Sequence, residues 1–293
     1  MATFNTIEKT EVRYSPLSPS LPQVLRGNRA SDYGHLSNIT NREANFIRYV
    51  DPIASNFLRP MLGQKQLLTN QERWCIWLDD ASQYEIEDSP EIIARIEAVR
   101  TARQKSRSHQ IRELAKSPQK YEQTVQPTEE YLALPLQPME RYEYIPVDIV
   151  SAEFITNRTI GVINSNRRLA MGVLSSYAFK VWNRKISAAG ITQANSSVDI
   201  AYNAFPLPEL NSKQKEAIEE GARGISTARA YLGVGNLDKM YDPAFKEPQL
   251  RDAHTELNEH IYEVFGLASH PGEKKIMERL IELYRELSQS GLH

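Results

Sequence analysis

The stretch PEIIARIEAVRTARQKSRSHQIRELAK, residues Pro90–Lys116, carries the clearest fold signal in the first half of the chain. The preceding Ser89 is a suitable helix N-cap, and a proline suits the first helical position. Ile92, Ile96 and Val99 recur at helical spacing, which is typical of a helix that buries one face. The sequence therefore predicts a single amphipathic helix over residues 90–116.

Basic side chains are concentrated in this helix and just after it. Residues 95–120 contain eight Lys and Arg residues and two Glu residues, a local charge of +6 in a chain whose net charge is −2. Such a block could follow a DNA phosphate backbone, and it could equally be a solvated helix face. The candidate backbone-binding residues are Arg100, Arg103, Lys105, Arg107 and Arg112.

The segments on either side of this helix mix short strands and helices. Upstream, residues 41–50 favour a short helix, and the aromatic and aliphatic run Arg73–Leu78 favours a buried strand. Downstream, residues 147–164 favour two or three short strands, residues 169–185 favour a helix, and residues 198–202 favour a strand. This mixture is typical of an α+β domain.

The composition changes at Glu209, after which helical patterns dominate. Asn211 or Ser212 can cap the first of three amphipathic helices, and Gly266 is a suitable stop for the second. We therefore predict an α+β chain with a flexible tail over 1–20, a mixed domain over 21–208 and an all-helical bundle over 209–293.

The residue content excludes several kinds of active site. Cys75 is the one cysteine and the six histidines are scattered, so zinc-ligand spacing is absent. Gly233-Val234-Gly235 lacks the third glycine and the preceding strand of a dinucleotide-binding motif. The sequence also has no phosphate-binding Gly-Lys-Ser/Thr loop and no Gly-x-Ser-x-Gly elbow. We therefore expect no catalytic residue and no metal site in this chain.

The sequence also has no feature typical of membrane proteins. No segment approaches the roughly 18 to 20 apolar residues of a membrane-spanning helix, and the N-terminus lacks the apolar core of a secretory signal. A single cysteine excludes an internal disulfide framework and favours a reducing compartment. We expect a cytoplasmic protein with no membrane partner.

Seven short motifs, each weak alone, follow one another in a specific order. They are Arg59–Gly63, Arg73–Leu78, Ala133–Pro135, Arg141–Pro146, Tyr202–Pro208, Leu237–Pro243 and Ala253–Asn258. In this order they resemble the C-terminal part of the MmeI-like enzymes, which are single-chain type II restriction-modification proteins related to adenine-specific DNA methyltransferases. The resemblance extends over nearly the whole chain, from about residue 25 to residue 287.

The resemblance implies that this chain is the DNA-reading end of a larger enzyme. In the family, a nuclease domain, a helical spacer and a methyltransferase domain that binds S-adenosylmethionine precede a target-recognition domain and a C-terminal helical domain. The sequence contains no Pro-Pro, so the methyltransferase motif is missing, as is the glycine-containing cofactor motif. We expect no cofactor in this chain, which is a separate subunit, a fragment or the product of a split or decayed gene.

Two segments supply candidate base-reading residues. They are a strand region and the end of the 169–185 helix with the loop after it, and the candidates are Glu153, Thr156, Asn157, Arg158, Arg184, Lys185, Gln193, Asn195 and Ser196. The family's loop before the Tyr-Asn-Asn-Phe-Pro motif is rich in Arg and Tyr, whereas residues 188–197 contain no Arg, and Ala204 replaces the second Asn. The chain therefore either reads a different sequence, or its base reading is weakened or lost.

Two functions from different classes follow from these observations. The first is a recognition module of a site-specific adenine DNA methyltransferase, with double-stranded DNA as partner and a separate methyltransferase chain as a second candidate partner. The alternative is a protein-interaction subunit or remnant that docks on a methyltransferase through residues 209–293 and contacts DNA little. A free-standing enzyme is disfavoured because no nucleophile–base or metal constellation is visible.

Overall fold

The computed structural model describes residues 13, 15–137, 140–188 and 197–290. Within them the strands are β1 (Leu25–Arg26), β2 (Leu58–Leu62), β3 (Trp74–Ile76), β4 (Tyr131–Pro135), β5 (Asp148–Val150), β6 (Ile155–Thr156) and β7 (Ile160–Ile163). The helices are α1 (Asn41–Val50), α2 (Pro52–Asn56), α3 (Gln64–Thr69), α4 (Gln83–Glu87), α5 (Pro90–Gln104), α6 (His109–Glu113), α7 (Arg167–Leu174), α8 (Tyr177–Ala188), α9 (Val198–Asn203), α10 (Ser212–Leu232), α11 (Leu237–Met240), α12 (Pro248–Val264) and α13 (Glu273–Ser290). These elements confirm the α+β class.

The chain forms two compact units that do not follow the order of the sequence. Unit 1 comprises Met1–Leu25, Glu130–Val150 and Gly161–His293, and unit 2 comprises Arg26–Glu129 and Ser151–Ile160. The helices after residue 209 therefore share a unit with α7, α8 and α9, which precede the predicted domain boundary. Within the described ranges, none of the helices combines the length and the apolar composition that a membrane crossing needs.

Unit 2 is built on a small sheet with the strand order β3–β2–β6. β2 pairs antiparallel with β3, with Arg59 opposite Cys75, and parallel with β6, with Leu62 opposite Thr156. The core beside this sheet contains Ile47 from α1 and the side chains of α5 that the spacing predicted. The predicted strand within residues 73–78 and the predicted helix over 41–50 are both confirmed.

The predicted single helix over 90–116 is wrong, because the chain leaves the helix after Gln104 and restarts at His109. The serines in the break favour non-helical backbone. Arg112 stabilises the break, since its guanidinium donates to the carbonyl oxygens of Ser106 at 2.8 Å and Arg107 at 2.9 Å. The short α6 and a 3-10 turn, Leu114–Lys116, follow.

Arg103 is fully buried and holds the loops of unit 2 together. Its guanidinium donates to five backbone carbonyl oxygens at 2.8–3.1 Å, namely those of Ala30, Ser31, Leu114, Ser117 and Lys120. These bonds fasten two separate loops to the end of α5. The predicted phosphate-binding role of Arg103 is therefore wrong, because its donors are occupied inside the fold.

Unit 1 combines a sheet with a layer of helices. The strand order is β1–β7–β4–β5, and β4 pairs antiparallel with β5, with Leu132 opposite Ile149. The three strands β5, β6 and β7 confirm the prediction for residues 147–164, and α10, α12 and α13 confirm the three predicted C-terminal helices. Asn211 caps α10 through its side chain, and Gly266 follows the end of α12 with a φ of 65°.

An aromatic cluster forms the centre of the helical layer. The ring of Phe205 lies 5.4 Å from that of Phe179 in α8 and 5.9 Å from that of Phe265 beyond α12, measured between centroids. Trp182 packs against Phe205 on one side and against Tyr284 of α13 on the other. The Tyr202–Pro208 motif thus supplies a core side chain that the helices on both sides of residue 209 share.

Two predicted elements of unit 1 differ in the structure. The helix over 169–185 is two helices, because the hydroxyl of Ser176 accepts the amide hydrogen of Phe179 and starts a new N-terminus. The strand over 198–202 is the helix α9, whose residues are all buried. A short, fully buried apolar run has no alternation of faces, so its pattern does not separate a strand from a helix.

Part of the predicted tail is fixed to unit 1. The amide of Leu17 donates to the carbonyl oxygen of Asn203 at 2.7 Å, and the hydroxyl of Tyr202 donates to that of Pro22 at 3.0 Å. Ser18 and Leu21 are buried. The polar atoms at the end of α9 therefore anchor the segment from residue 15 onwards.

A buried polar network joins α10 and α12 to the residue before β5 and the residue after α11. Arg229 donates to the carbonyl oxygen of Val147 at 2.7 Å and to the hydroxyl of Tyr241. That hydroxyl lies 2.8 Å from Nε2 of His254, whose Nδ1 lies 3.1 Å from the carbonyl oxygen of Ser175. The carbonyl requires the imidazole proton on Nδ1, so Nε2 accepts from Tyr241. The motifs containing Tyr241 and His254 meet in this network.

We expect Arg103→Met to destabilise the protein by about 3 kcal/mol or more, because it leaves several buried carbonyl oxygens without donors. Arg103→Lys should recover only part of the loss, since an ammonium has three donors and no fork geometry. Urea unfolding monitored by circular dichroism measures both changes. Lys105→Met, which alters an exposed neighbour, is the control and should stay within about 0.5 kcal/mol of the unaltered protein.

The network around His254 predicts a loss of stability in acid. Burial, helped by the charge of Arg229, lowers the pKa of His254 from 6.5 to about 3. Between these values the unfolded chain binds a proton that the folded chain does not, so stability falls as the pH drops from about 6.5 towards 3. His254→Gln should reduce the slope of unfolding free energy against pH there by up to about 1.4 kcal/mol per pH unit.

Urea unfolding at several pH values between 7 and 4 tests this expectation. His260→Gln removes a histidine from the same helix outside the network and is the matched control. Equal slopes for His254→Gln and the control would contradict the assignment.

Candidate nucleic-acid interface

Several exposed cations of unit 2 lie in or near the break between α5 and α6. Lys105, Arg107 and Lys120 are exposed and have no ion pair with any residue that the structure describes. Arg112 is also exposed, and its bonds to the carbonyl oxygens of Ser106 and Arg107 tie it to the same break. The break therefore presents three of the predicted backbone-binding residues, Lys105, Arg107 and Arg112, from one short stretch.

The other basic residues of this region are partly neutralised. Arg100 pairs with Glu97 at 3.2 Å and Lys116 pairs with Glu113, in both cases one helical turn away. Exposed pairs of this kind are weak, so Arg100 could still exchange its partner for a phosphate. Arg103 is excluded from the surface, as described above.

The four predicted base-reading residues of the strand region differ in their exposure to solvent. Glu153 and Arg158 are exposed, and Asn157 is half-buried. Thr156 is fully buried in β6, where its side chain lies 3.3 Å from Nδ2 of Asn28. The predicted base-reading role of Thr156 is wrong, because a strand residue facing the interior cannot reach a DNA groove.

The second group of base-reading candidates belongs to unit 1. Arg184 near the end of α8 is exposed and forms an ion pair with Glu273 at the start of α13, whereas Lys185 is half-buried. Gln193, Asn195 and Ser196 lie outside the described residues. The structure therefore places Arg184 and Lys185 on one helix end and leaves the rest of this group as predictions.

A cavity of about 480 Å³ in unit 1 opens over Tyr144 and His254, whose rings are stacked with centroids 3.8 Å apart. Its lining includes Lys180 and Arg184 together with carboxylates such as Glu143. Burial lowers the pKa of Lys180. Because both signs of charge line the cavity, it is not a specific anion site.

The family's cofactor, S-adenosylmethionine, needs a glycine-containing turn between a strand and a helix, where the backbone can approach it closely. Gly63 stands between β2 and α3 and is the candidate for such a turn. A Cβ at Gly63 would lie 2.5 Å from Nδ2 of Asn157, so this chain's own side chain fills the space. A ligand that approached the backbone at Gly63 along this direction would have to displace the side chain of Asn157.

Sequence reasoning missed the two amide side chains that organise the strand region. Asn28 and Gln126 bond to each other at 3.1 Å and to backbone atoms of residues 152–156. They stand 98 residues apart, and an Asn or Gln in a loop has no pattern that indicates a buried role. Only the three-dimensional contacts identify them.

Comparison with family models assigns the whole chain. The model described as MmeI, target recognition domain, matches residues 7–209, and the model described as MmeI, C-terminal domain, matches residues 210–292.

Two larger proteins are similar to this chain over 94% of its length. DNA methyltransferase A of Bacillus subtilis (strain 168) is 27% identical over 278 residues, which make up 31% of that protein. The structure of the type IIL restriction-modification enzyme MmeI in complex with DNA matches with a TM-score of 0.88 at 31% identity, over 37% of that chain. This chain thus spans about a third of the length of each relative. It belongs to the MmeI family, of which it carries the target recognition domain and the C-terminal domain.

Proposed function

We propose that this chain reads the DNA sequence for an S-adenosylmethionine-dependent adenine DNA methyltransferase of a restriction-modification system. The observation that carries the proposal is the match of the target recognition and C-terminal models along residues 7–292. A structural likeness to MmeI, which was solved in complex with DNA, supports it at a TM-score of 0.88.

The charge distribution of unit 2 supports contact with a phosphate backbone. The chain as a whole is slightly acidic, so DNA affinity requires a local concentration of cations. Lys105, Arg107 and Arg112 supply one at the break between α5 and α6, where the backbone turns and the side chains are exposed. Phosphate contacts of this kind give affinity and register but carry no sequence information.

Methyl transfer to adenine would take place on another domain. Adenine must leave the duplex to be methylated, so a recognition module has to hold the DNA while a neighbouring site acts on the flipped base. That methyltransferase domain, carried on this polypeptide or on a separate chain, would be the partner. We expect that this chain does not itself bind S-adenosylmethionine.

We expect the chain to bind mixed-sequence duplex DNA with an affinity that falls steeply as salt rises. The double variant Lys105→Gln/Arg107→Gln should lower the slope of log affinity against log salt by roughly 2, since each phosphate contact contributes about 0.9. Fluorescence anisotropy with a labelled duplex at several salt concentrations measures the slope. Calorimetric titration of the same sample with S-adenosylmethionine should give no binding signal.

Lys213→Gln/Lys239→Gln removes two exposed cations of unit 1 and is the charge-matched control, which should keep the original slope. Equal slopes for the two double variants would contradict the placement of the phosphate contacts at the α5–α6 break. The absence of any duplex binding at low salt would overturn the proposal and favour the alternative, a subunit that docks on a methyltransferase with little DNA contact.

A further inference from the structure

Two amide side chains clamp the backbone of residues 152–156 in unit 2. Gln126 donates through Nε2 to the carbonyl oxygens of Ala152 at 3.0 Å and Phe154 at 3.1 Å. Asn28 donates through Nδ2 to the carbonyl oxygen of Thr156 at 2.9 Å and to Oε1 of Gln126 at 3.1 Å. The clamp thus holds the carbonyl oxygens of residues 152, 154 and 156, which run from the turn before β6 into β6 itself.

Asn28 is itself fixed in place. It is 2% exposed, and its Oδ1 accepts the amide hydrogen of Val125 at 2.6 Å. The amide therefore uses both its donor and its acceptor, and its orientation is fully determined. Because it bonds to Val125, Gln126 and Thr156 together, Asn28 joins the loop before α1 to the clamped segment.

The turn that follows the clamp is equally constrained. The amide of Asn157 donates to the carbonyl oxygen of Leu62 at 2.9 Å, and its Oδ1 accepts from the amide and hydroxyl of Thr159. The hydroxyl of Thr159 also accepts from the amide of Gln64, at 2.9 Å. Residues on both sides of position 158 are thus tied to α3, β2 or each other.

Gly27 lets the backbone approach this turn closely. A Cβ at position 27 would lie 2.4 Å from the carbonyl oxygen of Asn157 and 2.8 Å from Oγ1 of Thr156. The amide of Gly27 donates to the carbonyl oxygen of Ile160 at 2.8 Å. Two chain segments are therefore in direct contact along residues 156–160, and the turn has little freedom to move.

Arg158 is the exposed residue of this fixed turn. Among the residues that the structure describes, it has no hydrogen-bond or ion-pair partner, whereas the side chains of Thr156, Asn157 and Thr159 are all engaged. A cation presented by a rigid backbone loses little entropy when it binds. Within the described residues, Arg158 thus carries an unpartnered guanidinium on a turn in which the neighbouring polar side chains are all hydrogen-bonded.

We propose that Arg158 reads a guanine in the major groove, and that Asn28 and Gln126 are positioning residues that hold its turn. This inference rests on the proposed function. A guanidinium can donate two parallel hydrogen bonds to O6 and N7 of guanine, and such a bidentate contact needs a fixed approach direction. The clamp supplies that direction, which a mobile surface arginine bound to a phosphate would not require.

Two steps test the proposal. Duplexes that bind this chain are first selected from a random library. Variants of the selected site with single base-pair changes are then titrated with the chain. We expect a G·C pair in the selected site whose replacement weakens binding roughly 5- to 150-fold. Arg158→Met should bind all four pairs at that position alike and keep its preferences elsewhere, because a thioether side chain of similar length has no hydrogen-bond donor for a base edge. Its salt slope should equal that of the unaltered protein.

The positioning residues are tested by the same titration. Gln126 is half-buried. Gln126→Ala should reduce the preference for guanine at the pair assigned to Arg158. Base pairs contacted by residues outside the clamped segment should keep their preferences. Asn28→Asp keeps the acceptor for Val125 but loses the donor to Thr156, and should act in the same way. Arg107→Met, which removes the guanidinium at a predicted phosphate contact, is the matched control and should lower overall affinity while leaving every preference intact.

The outcomes separate this inference from the proposed function. An unchanged selected site in Arg158→Met overturns the reading role while DNA recognition stands. Duplex binding with no sequence preference overturns both the reading role of Arg158 and the proposed reading of sequence by this chain, and leaves only non-specific DNA contact. Failure to bind any duplex at low salt overturns both.

Discussion

The fold of unit 2 depends on buried side-chain donors that satisfy backbone carbonyls in its loops. Its strands are short, so secondary structure pairs only part of the backbone, and an unpaired buried carbonyl is costly. The guanidinium of Arg103 serves five such carbonyls, and the amides of Asn28 and Gln126 serve three more. Because these bonds join segments far apart in sequence, they decide how the loops that face solvent are shaped.

Unit 1 uses the same device at the junction of strand and helices. Arg229 donates to the carbonyl of Val147 and to the hydroxyl of Tyr241, and the carbonyl of Ser175 fixes the tautomer in which His254 accepts from Tyr241. The motifs that mark the family in this part of the chain are therefore components of the interior. Their place in the core explains why they identify the fold so well. The motif around Phe205 also explains why the helices before and after residue 209 share one core.

Regular elements could be predicted from the sequence, and irregular contacts could not. Helical spacing located α1, α10, α12 and α13, and the hydrophobic run around Cys75 located β3, because burial of one face leaves a periodic pattern. The pattern did not reveal that Arg103 points inwards, because the residue type alone does not show whether an arginine is buried or exposed. It also did not distinguish a strand from a helix at residues 198–202, where every side chain is buried. The clamp of Asn28 and Gln126 depends on long-range contacts alone.

The division of the chain into units has a consequence for how such proteins could exchange specificities. Ser151–Ile160 is covalently part of the stretch between β5 and β7, yet it belongs to the same compact unit as Arg26–Glu129. A transplant of the longer segment into a relative would carry Asn28 and Gln126 but leave behind the backbone they hold. A transplant of the shorter one would carry Arg158 without its support. Recombination that keeps Arg158 together with the side chains that hold its turn must therefore move two separated pieces of the gene at once. This requirement favours gradual substitution within the unit over exchange of a single continuous segment.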